Sequence, residues 1–293
     1  MASNTMPMEI SAEKQRLQSG IFGKTQTGTR CIAVTGGKGG IGKSNLAVNL
    51  SLELGALGNR VTLLDADFGL ANADILCGLA PKYHLGHVFA GIKGLDEVVV
   101  NISDKVSLIP GGSGIEDLAN ISGNAREYIF AELQLMEENT DFMLIDTAAG
   151  IAENVLGVLL SASEVVVVAT PEPTCLVDAY ATIKVILRHA PTKPISLVVN
   201  NFVGMAEAKQ VYQQLNSAVY CFLSSQIEFL GMIPHDSMLS EAVREQVPVV
   251  QYAPDCPASR AIRLVAKQFN QQKQKDRDSR IQLQSFWETL ANS

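Results

Sequence analysis

Nine consecutive residues, Gly36 to Ser44, carry the densest chemistry in the chain: GGKGGIGKS. They can be parsed in two ways. Gly37, Gly39 and Gly42 spell GxGxxG, a dinucleotide-binding turn, with Asp65 placed to meet a ribose hydroxyl. Gly37 to Ser44 also spell GxxxxGKS, a phosphate-binding loop. The first parse gives Lys43 and Ser44 no work. The second uses every residue: the glycines turn backbone N–H groups toward phosphate oxygens, and the helix that follows adds its positive end. Lys43 reaches the outer phosphates, and the Ser44 hydroxyl ligates Mg²⁺.

A nucleoside-triphosphate site also needs an acid at the end of a neighbouring apolar strand, to hold the metal's shell. FMLIDTAAGI supplies Asp146 there, followed by a small-residue turn suited to a switch. Asp67, two residues past Asp65, has no part in a dehydrogenase but could orient an attacking water in a nucleotidase. These acids decide for the phosphate loop. They leave a second lysine, Lys38, inside the loop without an assignment.

Positioning these groups requires strands that end together. CIAVTG (31–36), RVTLLDAD (60–67), FMLIDTA (142–148), EVVVVATP (164–171), ISLVVNN (195–201) and IEFLGMIP (227–234) are continuously apolar, as expected of parallel strands covered on both faces. Helical periodicity separates them at 43–58, 124–138, 151–162, 175–189 and 205–219. The alternation predicts a single α/β domain over 30–270: a doubly wound, mostly parallel sheet with helices on both faces and its ligand at the carboxyl ends of the strands. Residues 1–29 read as a polar leader and linker, and 271–293 as a charged connector with a short amphipathic helix.

Composition narrows the function classes. A net charge of −7 without a long Lys/Arg run gives no basis for nonspecific nucleic-acid binding. Five scattered cysteines with no CxxC pair point to a reducing compartment and away from zinc or iron–sulfur chemistry. His84 and His87 stand three apart, but no cysteine or carboxylate cluster completes a ligand set, so they read as surface residues. No stretch reaches the ~20 apolar residues of a membrane span, and the polar start lacks a signal peptide. A cytoplasmic protein is expected.

The loop with its extra lysine resembles the deviant phosphate loop, KGGxGK[ST], of the MinD/ParA ATPases. Membership implies a P-loop fold of the MinD-like class, ATP and Mg²⁺ as cofactors, ATP hydrolysis, and an ATP-dependent homodimer. In that family the first lysine, here Lys38, crosses to the partner subunit's nucleotide, as an arginine finger does. DADFGLANADILCGL (65–79), DTAAGI (146–151) and TPEPTCLVDAYATIK (170–184) are similar to the flagellar-number branch, FlhG/FleN. The resemblance implies catalytic roles for Lys38, Lys43, Asp67 as water-activating acid and Asp146, with Ser44, Asp65 and Asp146 on the metal side. It implies nucleotide contacts from Gly37, Gly39, Gly40, Ile41, Gly42, Lys43, Ser44 and Asn45, the last where many relatives carry Thr. Asn201 matches the adenine-contacting Asn, with Asn200 a competitor, and Pro234 is expected to wall the base.

The same resemblance implies a spatial and numerical switch for polar flagella. Its partners would be a signal-recognition-type flagellar GTPase (FlhF-type), a flagellar transcriptional activator and switch-complex proteins, met near Glu172 and Asp178. Leu283, Phe286, Trp287 and Leu290 form one apolar stripe on the terminal helix. In MinD-like proteins such a helix attaches peripherally to the inner face of the cell membrane in the ATP state; packing on its own domain is the competing expectation. EISAEKQRLQSG (9–20) is faintly similar to the branch's GTPase-stimulating segment but reads better as a disordered leader. The other readings are a ParA-type partitioning ATPase, the division-site MinD itself, an iron–sulfur carrier, which the missing CxxC disfavours, and a non-hydrolysing regulatory module.

Overall fold

The computed structural model describes residues 29–67, 71–112, 136 and 139–272. The leader, most of the 124–138 helical stretch, and the terminal stripe of Leu283, Phe286, Trp287 and Leu290 lie outside them.

An eight-stranded sheet organises the chain, in the order β3-β4-β2-β5-β1-β6-β7-β8. Its strands are β1 (Arg30–Thr35), β2 (Val61–Ala66), β3 (Val100–Ser103), β4 (Val106–Ile109), β5 (Phe142–Thr147), β6 (Glu164–Ala169), β7 (Ile195–Phe202) and β8 (Glu228–Pro234). The six apolar runs in the sequence fall on strands to within two residues. Every residue of β1, β2, β5 and β6 is buried, which is why those runs do not alternate. The sequence reading missed β3 and β4. They are four residues each and form the antiparallel edge of the sheet, where β3 is half solvated and its apolar signal is correspondingly weak.

The helices are α1 (Lys43–Ala56), α2 (Ala73–Leu76), α3 (Leu85–Phe89), α4 (Leu95–Val98), α5 (Glu153–Ser161), α6 (Pro173–His189), α7 (Met205–Leu223), α8 (Ser237–Arg244), α9 (Val249–Tyr252) and α10 (Pro257–Gln272). From β1 the chain crosses through α1 toward β2 on one side, whereas α5, α6 and α7 carry it from β5 to β8 toward the other. Right-handed crossovers in opposite directions place helices on opposite faces. The strand order therefore reverses at β1, and ligands bind at such a reversal, beyond the strands' carboxyl ends.

Helix α10 closes the α1 face by packing on α1 and β8. Ala258, Ile262, Val265, Ala266 and Phe269 are all buried, a helical stripe that the sequence reading left unassigned. The helix runs to Gln272, two residues into the stretch read as a connector. Its last turn is tied to the start of β1. The buried Arg30 pairs through Nε and, at 2.8 Å, through Nη2 with Glu164 of β6. Its Nη1 donates to the Phe269 carbonyl at 3.0 Å, and the guanidinium lies 5.0 Å from the Phe269 ring. With each of its three nitrogens bonded and a carboxylate as partner, this charge is tolerated in the interior.

Candidate functional site

The phosphate loop joins the end of β1 to the first turn of α1. Gly40 and Gly42 take left-handed φ angles of 76° and 93°, and a side chain at Gly42 would also strike the Asn200 amide. Gly37 is needed for a different reason: a Cβ there would lie 2.3–2.7 Å from atoms of Asp178, two of them backbone, so α6 packs directly on the loop. Gly39 and Gly40 have no protein atom near where a Cβ would be, and with Gly42 they line a cavity of about 350 Å³. The Ile41 side chain is buried, which leaves its main chain to face a ligand. Lys43, buried, and Ser44 open α1, where main-chain N–H groups of the first turn have no helical acceptor. This is a cradle for an anion.

Beside it, β5 ends in Asp146, in register with Val34 on one side and Asp65 on the other. Asp146 is 1% exposed, and neither carboxylate oxygen accepts a hydrogen bond. The Ser44 hydroxyl and Lys43 lie close enough to favour the ionised carboxylate, but Ser44 lacks the geometry of a hydrogen bond. Burial dominates, and with Asp65 and Asp67 nearby the pKa rises to about 7. Two stranded carboxylate oxygens next to a serine hydroxyl fit a hard cation. No cluster of three His, Cys, Asp or Glu could cage a metal among the described residues. Mg²⁺ takes few protein ligands and keeps phosphate oxygens and water in its shell. Ser44 would hold the ion directly and Asp146 through its water.

Asp65 faces differently. Its Oδ1 accepts the Asp67 N–H at 3.1 Å, and its Oδ2 accepts those of Asn72 and Ala73, both at 3.0 Å. Burial lifts its pKa to about 6 against those bonds. The geometry makes Asp65 the anchor of the loop after β2, and engaged oxygens have less to offer an ion than those of Asp146. Asp67 is half-buried beside it. The turn after β5 is fastened to the phosphate loop, since the Gly150 N–H donates to the Gly36 carbonyl at 3.2 Å.

At the other end of the cavity the two asparagines separate. Asn200 donates its amide to the Ile41 carbonyl at 2.8 Å and so clamps the phosphate loop. Asn201 takes a left-handed φ of 58° and meets His235, Nδ1 to Oδ1, at 2.8 Å. Asn201, Pro234, His235 and Asn45 all line the cavity, which places the predicted base residues together. The sequence reading takes GMIPHD (231–236) as similar to the family's loop beside the adenine and singles out Pro234; it gives no role to His235, nor to Asp236, whose oxygens cap α8 through Met238 N–H and α10 through Ala258 N–H. An Asp before a helical run is a capping signal that could have marked the second of these.

Lys38 lies at the cavity's mouth, its side chain 48% exposed, with Nζ donating to Glu172 Oε2 at 2.8 Å. That contact raises its pKa. Of the two residues expected to face partners, Glu172 thus holds Lys38 and Asp178 seats Gly37.

Over most of its length the chain is similar to proteins of known kind. Residues 32–249 match the model of the CobQ/CobB/MinD/ParA nucleotide binding domain. The antiactivator FleN of Pseudomonas aeruginosa is 37% identical over 239 residues, covering 82% of this chain and 85% of that one. The flagellum site-determining protein YlxH of Helicobacter pylori is 34% identical, covering 81% of each. Among solved structures, the septum site-determining protein MinD of Pyrococcus horikoshii, complexed with Mg-ADP, superposes with a TM-score of 0.66 at 25% identity, covering 83% of this chain and 97% of that one. The chain belongs to the CobQ/CobB/MinD/ParA family of nucleotide-binding domains, in the company of the MinD ATPases and, by sequence, of FleN and YlxH.

Proposed function

We propose that this protein is a MinD-like ATPase in which ATP and Mg²⁺ drive homodimerisation, slow hydrolysis resets it, and the cycle controls flagellum number and placement. One observation carries the dimer: a second loop lysine, Lys38, stands exposed at the mouth of the cavity, held among the described residues by a surface ion pair. Surface pairs of this kind contribute little, so Lys38 can exchange Glu172 for the phosphates of a nucleotide on a second copy. Lys43 neutralises the outer phosphates within the subunit. Asp146 orders the water around the metal that Ser44 touches, and Asp67 orients the attacking water. The metal supplies charge neutralisation on the phosphates.

Flagellar control is supported by two relatives, each aligned over most of both chains, an antiactivator and a flagellum site-determining protein. The partners would be an FlhF-type GTPase, a flagellar transcriptional activator or switch-complex proteins. Peripheral membrane attachment through Leu283, Phe286, Trp287 and Leu290 belongs to the same proposal; no described helix is long and apolar enough to cross a membrane. Light scattering tests the core of it. Asp67→Ala protein should double its mass with Mg²⁺-ATP and stay monomeric with ADP, and adding Lys38→Ala should abolish the doubling. A monomer with ATP demonstrably bound would overturn the dimer switch.

A further inference from the structure

The strand pairing of β7 and β8 slips by one residue at Asn201: Asn200 pairs with Ile233, and Phe202 with Pro234. The extra residue is a bulge, and Asn201 takes up the left-handed conformation that asparagine tolerates better than most residues. Bulges re-aim side chains. Pairing resumes where the His235 N–H donates to the Phe202 carbonyl at 2.8 Å, so the backbone holds His235 directly across from the bulge. Its ring then meets the Asn201 amide, Nδ1 to Oδ1, at 2.8 Å. An amide oxygen only accepts, so Nδ1 carries the hydrogen and the amide is pinned with its oxygen toward His235. Asn200, which lines the same cavity, is oriented otherwise, with an amide N–H directed at the Ile41 carbonyl.

We infer that His235 is a positioning residue for purine recognition. It fixes Asn201 in one of its two amide orientations, so that Nδ2 donates to N7 of an adenine while the second lone pair of Oδ1 accepts from the 6-amino group. That pair of bonds is how an asparagine side chain reads adenine, whose edge carries an acceptor beside a donor. Guanine offers two acceptors there, and the fixed oxygen repels one of them. Without His235 the side chain of Asn201 can turn over, into an orientation that does not match the adenine edge, and can swing away from the base; a competent fraction of about a tenth lowers affinity about tenfold. The inference rests on the nucleotide-binding reading above, with Asn201 as the base contact.

The test measures Kd by calorimetry, with Mg²⁺ present, for ATP, GTP and 7-deaza-ATP, which lacks the N7 acceptor. Wild-type protein, His235→Ala and His235→Gln, which restores a donor, are compared, with thermal midpoints recorded. Wild type should lose about tenfold from ATP to 7-deaza-ATP, the worth of one hydrogen bond. His235→Ala should bind ATP about tenfold more weakly, lose less than about threefold further on 7-deaza-ATP, and narrow the ATP-over-GTP ratio; His235→Gln should recover much of each. A merely structural histidine would lower all three affinities equally. An His235→Ala protein that keeps the wild-type ratio between ATP and 7-deaza-ATP overturns the inference. So does wild type that binds both equally, which removes Asn201 from the base, whereas wild type that binds no nucleotide removes the functional reading itself.

Discussion

Asp146 is the residue at which the proposed function and stability oppose one another most directly. Its carboxyl is buried with no hydrogen-bond partner, and its pKa stands at about 7 against an ordinary 3.8. Between these values the folded protein holds a proton that the unfolded chain has released. Stability therefore falls as pH rises from about 4 to about 7, and the full cost is present above that. A shift of roughly three units corresponds to about 4 kcal/mol, an order-of-magnitude figure for one buried group. Asp146→Asn replaces the buried charge by a neutral amide, itself poorly partnered at a cost of about 1–3 kcal/mol. The variant should thus be more stable than wild type at pH 8 by about 1–3 kcal/mol, or roughly 2–6 °C in midpoint for a domain of this size. At pH 5, where the carboxyl is already neutral, the gap should close. Thermal unfolding of nucleotide-free protein in EDTA from pH 5 to 8.5 reads this directly. A variant no more stable than wild type at pH 8, or a gap that does not shrink toward pH 5, would refute the reasoning. With Mg²⁺-ATP added the order should reverse, because wild type gains stabilisation from the ion that the variant lacks.

Three further changes probe the frame around the site. Arg30→Met strands the Glu164 carboxylate in the interior and frees the Phe269 carbonyl; it should cost about 3–5 kcal/mol by denaturant unfolding, and Arg30→Met with Glu164→Leu should recover much of it. Asn200→Ala releases the Ile41 carbonyl from its clamp; stability should drop by about 1 kcal/mol, with ADP and ATP affinity falling together, since both share the loop. Gly37→Ala sets a methyl 2.3–2.7 Å from Asp178 atoms, two of them backbone; α6 and the loop must part, and nucleotide binding measured by calorimetry should be lost while the far-ultraviolet circular dichroism stays native-like.

What could be read from the sequence follows from how local each signal is. The phosphate loop was legible because its chemistry lies in nine adjacent residues, and the central strands because burial on both faces leaves an unbroken apolar run. The adjacent asparagines could not be assigned from their types. Both line the cavity, and a bulge in the ladder decides which one turns to Ile41 and which one meets His235; a bulge depends on the neighbouring strand. Asp65 and Asp67 likewise look equivalent in sequence, yet one is wholly occupied with backbone N–H groups of the following loop. The pairing of Lys38 with Glu172 spans 134 positions, beyond any local pattern. Helix α10 went unassigned although its stripe is regular, because attention to the strands leaves a helix after the last one without a place in the alternation.

Helix α10 also has a mechanical side. Its first turn is held by Asp236, in the loop that follows Pro234 and lines the cavity, and its last turn by Arg30, at the opposite end of the sheet from the phosphate loop. Sixteen residues of helix make a stiff rod of about 24 Å. Any movement of the loop after Pro234 must either break the Asp236 cap or push the rod along the groove between α1 and β8. Tilting it by about 5° moves its far end by about 2 Å, enough to shear the Arg30 contacts. Gln272 is thus the driven end of a lever whose other end rests on the loop that lines the cavity.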